Sequence, residues 1–300
     1  MEKQKIRNGC LLFLTSIIWG ISFVAQSVGM EHVGPFTFTG VRCTLGGIVL
    51  LPYIAIRNRN RIQIKEEKEK DNKTVLVAGL VCGVLLFLGT MFQQTGIMTT
   101  SAGKAGFLTA LYIILVPMIG LLFGKKAGIR LWISVLLSLG GLYLLCMKES
   151  FVLRQGDILL IIGAVVFSVH ILAIDHFTNK VDGVKMSCIQ FFVCGLLGIV
   201  CMFIFEEPKL TAIINAWQPI IYSGALSCGI GYTLQIVGQK GMNPTVASLL
   251  LSLESVNAAI AGWLILGQKL SQTELFGCLL VFIGIIIAQL PNRRAVSVNA

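Results

Sequence analysis

Apolar residues fill ten stretches of this chain, and polar residues collect in the short segments between them. The runs cover about 9–29, 35–56, 74–98, 103–124 and 129–147, then 156–174, 184–205, 217–238, 244–266 and 273–290. A hydrocarbon layer about 30 Å thick takes roughly 20 apolar residues at the helical rise of about 1.5 Å per residue. The pattern therefore predicts an all-α polytopic membrane protein with ten transmembrane helices. Glycine is frequent inside the runs (Gly46-Gly47, Gly79 and Gly83, Gly140-Gly141, Gly195 and Gly198), as expected where helices approach closely in lipid.

One run breaks its own pattern. Residues 243–269 open with Asn243-Pro244, a helix start, and continue for more than 20 residues without Lys or Arg before Lys269. Within it stands a carboxyl group, Glu254, with Asn257 one turn on and Ser248 and Ser252 nearby. An ionisable group in hydrocarbon is costly unless it faces a protein interior or a wet cavity, which makes Glu254 a candidate functional residue.

The same stretch has a copy. A gap-free shift of 143 positions lays Leu108-Thr109-Ala110-Leu111-Tyr112 on Leu251-Ser252-Leu253-Glu254-Ser255, Gly124 on Gly267, Lys126 on Lys269 and Gly141 on Gly284. The expected division is 1–147 and 148–300, five helices each. An odd number of spans per unit inserts the second unit upside down, an arrangement that places a site near the midplane between the halves.

Composition and charge sharpen this. Charged residues are 13% of the chain and apolar ones 55%, against roughly 25% charged in soluble domains. The net charge of +10 is thus not a nucleic-acid signal. With the N-terminus in the cytoplasm, 18 of the 24 Lys and Arg fall on the inner side, 5 outside and Arg42 within a span. Both termini are therefore expected to be cytoplasmic. The first run is too long for a signal peptide and lacks a cleavage site, so it is read as a helix. The charged loop 57–73 reads as a solvated topology determinant. The nine cysteines lie in or at the ends of apolar runs without zinc-type spacing and read as packing residues.

Several residues compete between function and structure. Glu254 would carry a proton, releasing it when a cavity opens to water, or would pair with an amine; otherwise it is a hydrogen-bonded structural carboxyl. Lys104 faces the outer side and either attracts an anion, pairs with Glu254 or snorkels to the interface. Arg42, well inside a span, needs a partner or a carbonyl cage; structural pairing is expected ahead of the alternative, substrate binding. His170 is a candidate for a proton relay, although Asp175, five residues on, shares its helix face poorly. Gln93, Gln94, Thr109, Tyr112, Tyr232, Gln235, Ser252 and Asn257 would supply the polar groups of an apolar cavity, or hydrogen bonds between helices. Trp19 lies mid-span, away from the interface where Trp132, Trp217 and Trp263 are expected. With Phe23 one turn on, it is a candidate to line the pathway.

Across nearly its whole length the chain resembles the drug/metabolite transporter superfamily, of the ten-helix EamA type. The likeness rests on Trp19-Gly20 with Phe23, Gly34-Pro35-Phe36 leading to Arg42, Gln93-Gln94-Thr95-Gly96, Ser101 to Thr109 (SAGKAGFLT) with Pro117, and Asn243 to Ser248 (NPTVAS) running on to Leu253-Glu254-Ser255-Val256. It departs from the family pattern at the end of helix 9, where Gln268 follows Gly267 in place of a frequent Glu. The resemblance implies export of a small metabolite across the cell membrane by alternating access. The expected solute is amphipathic and amino-acid-like, and protons are the candidate coupling ion. No nucleotide cofactor is expected, because there is no phosphate-binding Gly-rich loop, and neither a metal nor nucleic acid is expected. One chain suffices geometrically, and a dimer is allowed. The rivals are an intramembrane enzyme acting on lipid, for which no metal, acid/base or Ser/His/Asp set is found, and a non-transporting sensor.

Overall fold

A computed structural model describes residues 2–60, 68–99, 102–125, 127–146, 154–266 and 270–290. Among them every regular element is helical. The first half holds α1 (Glu2–Met30), α2 (Pro35–Asn60), α3 (Lys68–Ile97), a fourth span split into α4 (Ala102–Ala110) and α5 (Tyr112–Leu122), and α6 (Ile129–Cys146). The second holds α7 (Gln155–Thr178), α8 (Gly183–Phe205), the short α9 (Leu210–Asn215), and a span built of α10 (Trp217–Ile221), a π-helical segment (Tyr222–Tyr232) and α11 (Thr233–Gln239). A split ninth span, α12 (Pro244–Leu251) and α13 (Leu253–Leu266), and α14 (Gln272–Gln289) complete it.

Nine of these spans are long and apolar enough to cross a membrane, and Ile129–Leu145 is a shorter apolar tenth. All ten predicted runs are therefore present as helices. Their outer faces are apolar: Leu275, Phe276, Leu279 and Ile286 of α14, and Leu196, Phe203 and Ile204 of α8, are exposed. An apolar surface of that extent belongs against lipid.

Packing obeys the duplication. Spans 2 and 7 (α2 and α8) pair across the halves, as do spans 5 and 10 (α6 and α14). Other large contacts come in exchanged pairs: span 3 lies on spans 6 and 7, and span 8 lies on spans 1 and 2. Exchanging the halves returns these main contacts, as expected of two inverted repeats. The α6–α14 contact is close because of glycine. A Cβ on Gly141 would stand 2.5 Å from the Gly277 carbonyl oxygen, and one on Gly277 2.6 Å from that of Gly141.

Hydrogen bonds and ion pairs gather the basic segment ends on one face. Asn8 donates to the Lys240 carbonyl (2.7 Å), and Arg130 to that of Leu290. Arg57 meets Asp182 at 3.0 Å and Lys125 meets Asp175 at 2.6 Å, each pair joining one half to the other. By the positive-inside rule this is the cytoplasmic face. On the other face the Glu206 carboxylate, at the end of α8, caps α2. It accepts from Phe36 N (2.9 Å), Thr37 N (2.8 Å) and Thr37 Oγ1 (2.6 Å). The α2–α8 pair is thus fastened at both ends.

Candidate functional site

The two split spans meet at their breaks. Asn243 starts α12 by accepting from Thr245 N at 2.9 Å, with Pro244 at the first helical position. The helix then tightens at Ser252 (ψ −13°), whose hydroxyl donates to the Leu249 carbonyl at 2.8 Å. Back-bonding of this kind bends helices. In the fourth span the break is at Leu111 (ψ −15°), with Leu111 N bonded to Leu108 O and Ile114 N to Leu111 O. Shifted by 143, Ser252 falls on Thr109, two residues from Leu111, so both repeats break at nearly equivalent positions. A tightened turn inside a span marks a hinge.

Against these breaks lies a cavity with walls from α1, α2, α3, both split spans, α7 and the π-containing eighth span. The cavity volume is about 50 Å³. That is room for a few waters, so the walls must part to take a metabolite.

Glu254 projects from the first turn of α13 into this space and is 6% exposed. It accepts a hydrogen bond from the Tyr112 hydroxyl at 3.1 Å, the two residues flanking the two breaks. Beside them Gln93 of α3 donates to Thr109 Oγ1 at 3.4 Å. The aromatic part of the wall centres on Tyr232. Trp19 lies over it at 4.4 Å between centroids, while Phe191 (5.8 Å) and His170 (6.3 Å) meet it edge-on.

The π segment sets the position of Trp19. A π-helix is rare and concentrates at functional sites, and here carbonyls of the segment accept side chains of α1. Trp19 Nε1 donates to Ser227 O at 3.4 Å and Thr15 Oγ1 to Gly231 O at 3.2 Å. Gly231 is required: a Cβ there would stand 2.9 Å from Trp19 Nε1. His170 is buried and shares a 3.2 Å hydrogen bond with the Gln190 side-chain amide.

Eight candidates therefore share one wall: Glu254, Gln93, Thr109, Tyr112, Tyr232, Gln235, Trp19 and His170. Three others lie off it. Asn257 donates to Ser16 Oγ at 3.0 Å and packs on Gly20, joining α13 to α1. The Ser252 hydroxyl is spent on its own helix. Gln94 stands one layer behind and donates to Gln26, which does line the cavity. The Lys104 side chain lies outside the described residues. Asp175 is engaged with Lys125 and not with His170.

The main correction concerns Arg42. The sequence leads one to expect a structural partner, yet among the described residues Arg42 makes no hydrogen bond or ion pair. It is 3% exposed, its Nε is unpartnered, and it lines the cavity with its guanidinium 5.4 Å from the Phe38 ring centroid. Gln26, Ser227 and Phe167 are further lining residues that the sequence reading missed. Gln26 left a signal, a polar residue inside the first apolar run; Ser227 and Phe167 left none. No three His, Cys, Asp or Glu side chains converge as a metal site among the described residues.

The chain also matches known proteins over nearly its full length. The EamA-like transporter family matches twice, at residues 7–147 and 154–289. An uncharacterized transporter of Archaeoglobus fulgidus is 27% identical, covering 93% of this chain and 84% of its own. The uncharacterized inner membrane transporter YedA of Escherichia coli is 23% identical, covering 93% and 89%. An S-adenosylmethionine/S-adenosylhomocysteine transporter of Chlamydia muridarum is 22% identical, covering 91% and 90%. A crystal structure of another protein superposes with a TM-score of 0.76 at 19% identity, covering 96% of this chain and 99% of that one, and so shares the fold. Ten apolar spans in two inverted repeats, matched once in each half by the same family, make the chain a multi-pass membrane protein belonging to the EamA-like transporter family.

Proposed function

We propose that this protein is a secondary transporter of the cell membrane that exports a small, amphipathic, amino-acid-like metabolite by alternating access of its two halves. One observation carries the reading: a small cavity between the inverted repeats, at the breaks of the fourth and ninth spans, lined by Glu254 and Tyr112 and by the tilted ring pair Trp19 and Tyr232. Broken helices at a repeat interface are where secondary transporters hold solute and coupling ion. The tightened turns at Leu111 and Ser252 are hinges about which the halves would rock, exposing the cavity to each side in turn. A relative named as an S-adenosylmethionine/S-adenosylhomocysteine transporter, whose solutes join an amino-acid head to an adenine ring, is in keeping with such a solute.

In this mechanism Glu254 takes a proton or a solute amine when the cavity faces one side and gives it up on the other. Tyr112 holds the carboxyl toward the space, and Trp19 and Tyr232 cover the apolar part of the solute. Gln93, Thr109, Gln235 and His170 supply hydrogen bonds that fix its orientation.

The test is solute flux in proteoliposomes under an imposed pH gradient, screening amino acids, nucleosides, vitamins and cationic drugs for wild type and Glu254→Gln. Wild type is expected to accumulate one class against its gradient. The variant should lose accumulation while keeping exchange. Equal accumulation by both proteins would remove Glu254 from the coupling step, and no flux of any solute by folded protein would overturn transport.

A further inference from the structure

The unpartnered guanidinium points to what that solute must carry. Arg42 sits two helical turns into α2, about 10 Å from its start at the usual rise, and so within the apolar layer. Its immediate surroundings are neutral: the Phe38 ring and a cluster of thiols, Cys43, Cys194 and Cys228, with Sγ–Sγ distances of 3.4 and 4.0 Å. A guanidinium stays charged and offers five N–H donors in a planar fork. Left without an acceptor in a dry site it is costly, and buried charges are otherwise paired. Here Arg42 lines the cavity in which the solute would lie, with its Nε unpartnered.

We infer that Arg42 is the subsite for a carboxylate on the solute, so that the cavity reads a zwitterion, with the acid on Arg42 and the amine toward Glu254. This rests on the transport reading above and deepens it. A carboxylate matches the fork with two parallel hydrogen bonds. A phosphate monoester fits less well, because its second negative charge finds no second cation on the described cavity wall and is repelled by Glu254. Tyr232, on the same wall, offers its hydroxyl to the carboxylate. The neutral thiols and the Phe38 face leave the charge of Arg42 uncompensated until solute arrives.

The probes are L-leucine, L-phenylalanine and L-methionine, each beside its amide (acid removed), its decarboxylated amine and its deaminated acid, with glucose 6-phosphate as a phosphate arm. Binding is read as protection of the purified protein against thermal unfolding, and transport as counterflow in proteoliposomes. Wild type is expected to prefer at least one amino acid over its amide by at least tenfold, and to show weaker binding of the deaminated acid. Arg42→Gln should abolish the acid-over-amide preference, and Arg42→Lys should retain part of it. The comparison of acid with amide in wild type stands even if Arg42→Gln fails to fold. Equal binding of acid and amide by wild type, or an unchanged preference in a folded Arg42→Gln protein, would overturn the inference. So would tighter binding of the phosphate. Flux of amines or nucleosides with no acid recognised would overturn the inference and leave transport standing; absence of flux for every solute screened would remove both.

Discussion

At the scale of single residues, the Tyr112–Glu254 hydrogen bond ties the function to the repeat. In the 143-residue register Glu254 coincides with Leu111, so the acid has no counterpart and its partner is the residue beside that position. The site is built from one symmetric scaffold with an asymmetric filling. Tyr112→Phe removes the donor while keeping the ring, and leaves a buried carboxyl without its one protein partner in the cavity. Losing such a partner costs about 1–3 kcal/mol. The expected outcome is a lower unfolding midpoint and impaired gradient-driven flux, both checked on purified protein. An unchanged midpoint together with unchanged flux would mean the hydroxyl is idle. Glu254 itself was legible because a carboxyl in a 20-residue apolar run has few innocent explanations. Arg42 carried the same signal and was misread, because sequence does not reveal whether a buried charge has a neighbour from another span. Asn257 and Ser252 show the converse: their types suit a cavity, but rotation about the helix axis turns one toward α1 and the other onto its own backbone.

At the scale of elements, the helices themselves were the legible part, since length and hydropathy decide them before any packing. Their interruptions were not. The π segment at Tyr222–Tyr232 goes with tertiary contact, Trp19 and Thr15 bonding to its carbonyls, and the back-bonding at Ser252 is a local cause that a serine alone does not announce. The α2–α8 pair offers an element-level test. Its outer end is closed by Glu206, which satisfies two amides and a hydroxyl at the start of α2 and sits where the helix dipole favours an anion. Glu206→Ala should lower stability by about 0.5–2 kcal/mol and speed hydrogen exchange at Phe36 and Thr37, while solute affinity stays unchanged because Glu206 lies off the cavity wall. Loss of affinity with unchanged exchange would place Glu206 in a different role.

At the scale of the whole molecule, the exchange of halves explains why ten spans suffice. The main helix contacts made by one half are made again by the other, so the two arrangements needed for rocking can be close in energy and differ by which face is open. The ion pairs Lys125–Asp175 and Arg57–Asp182 bind the halves on the cytoplasmic face, while Glu206 does so on the opposite one. Duplication and charge bias were readable as numbers along the chain; the exchanged contacts follow from them, whereas the content of the cavity does not. That content has an electrical consequence. Arg42 and Glu254 are the two full charges of opposite sign on the described cavity wall, and when both are ionised they cancel. A zwitterion adds nothing to the sum, so a membrane potential, worth about 2.3 kcal/mol per elementary charge at 100 mV, has no lever on loading. Each proton taken up by Glu254 leaves the wall with one positive charge that the field can move. Potassium-diffusion potentials imposed on proteoliposomes should therefore leave flux unaltered where Glu254 is ionised and bias it where Glu254 is protonated. Glu254→Gln, fixed in the uncharged form, should be voltage-sensitive at every pH; a voltage-blind variant would show that the charge on the cavity wall does not travel. Voltage, rather than any bound label, would then report how many protons ride with each solute.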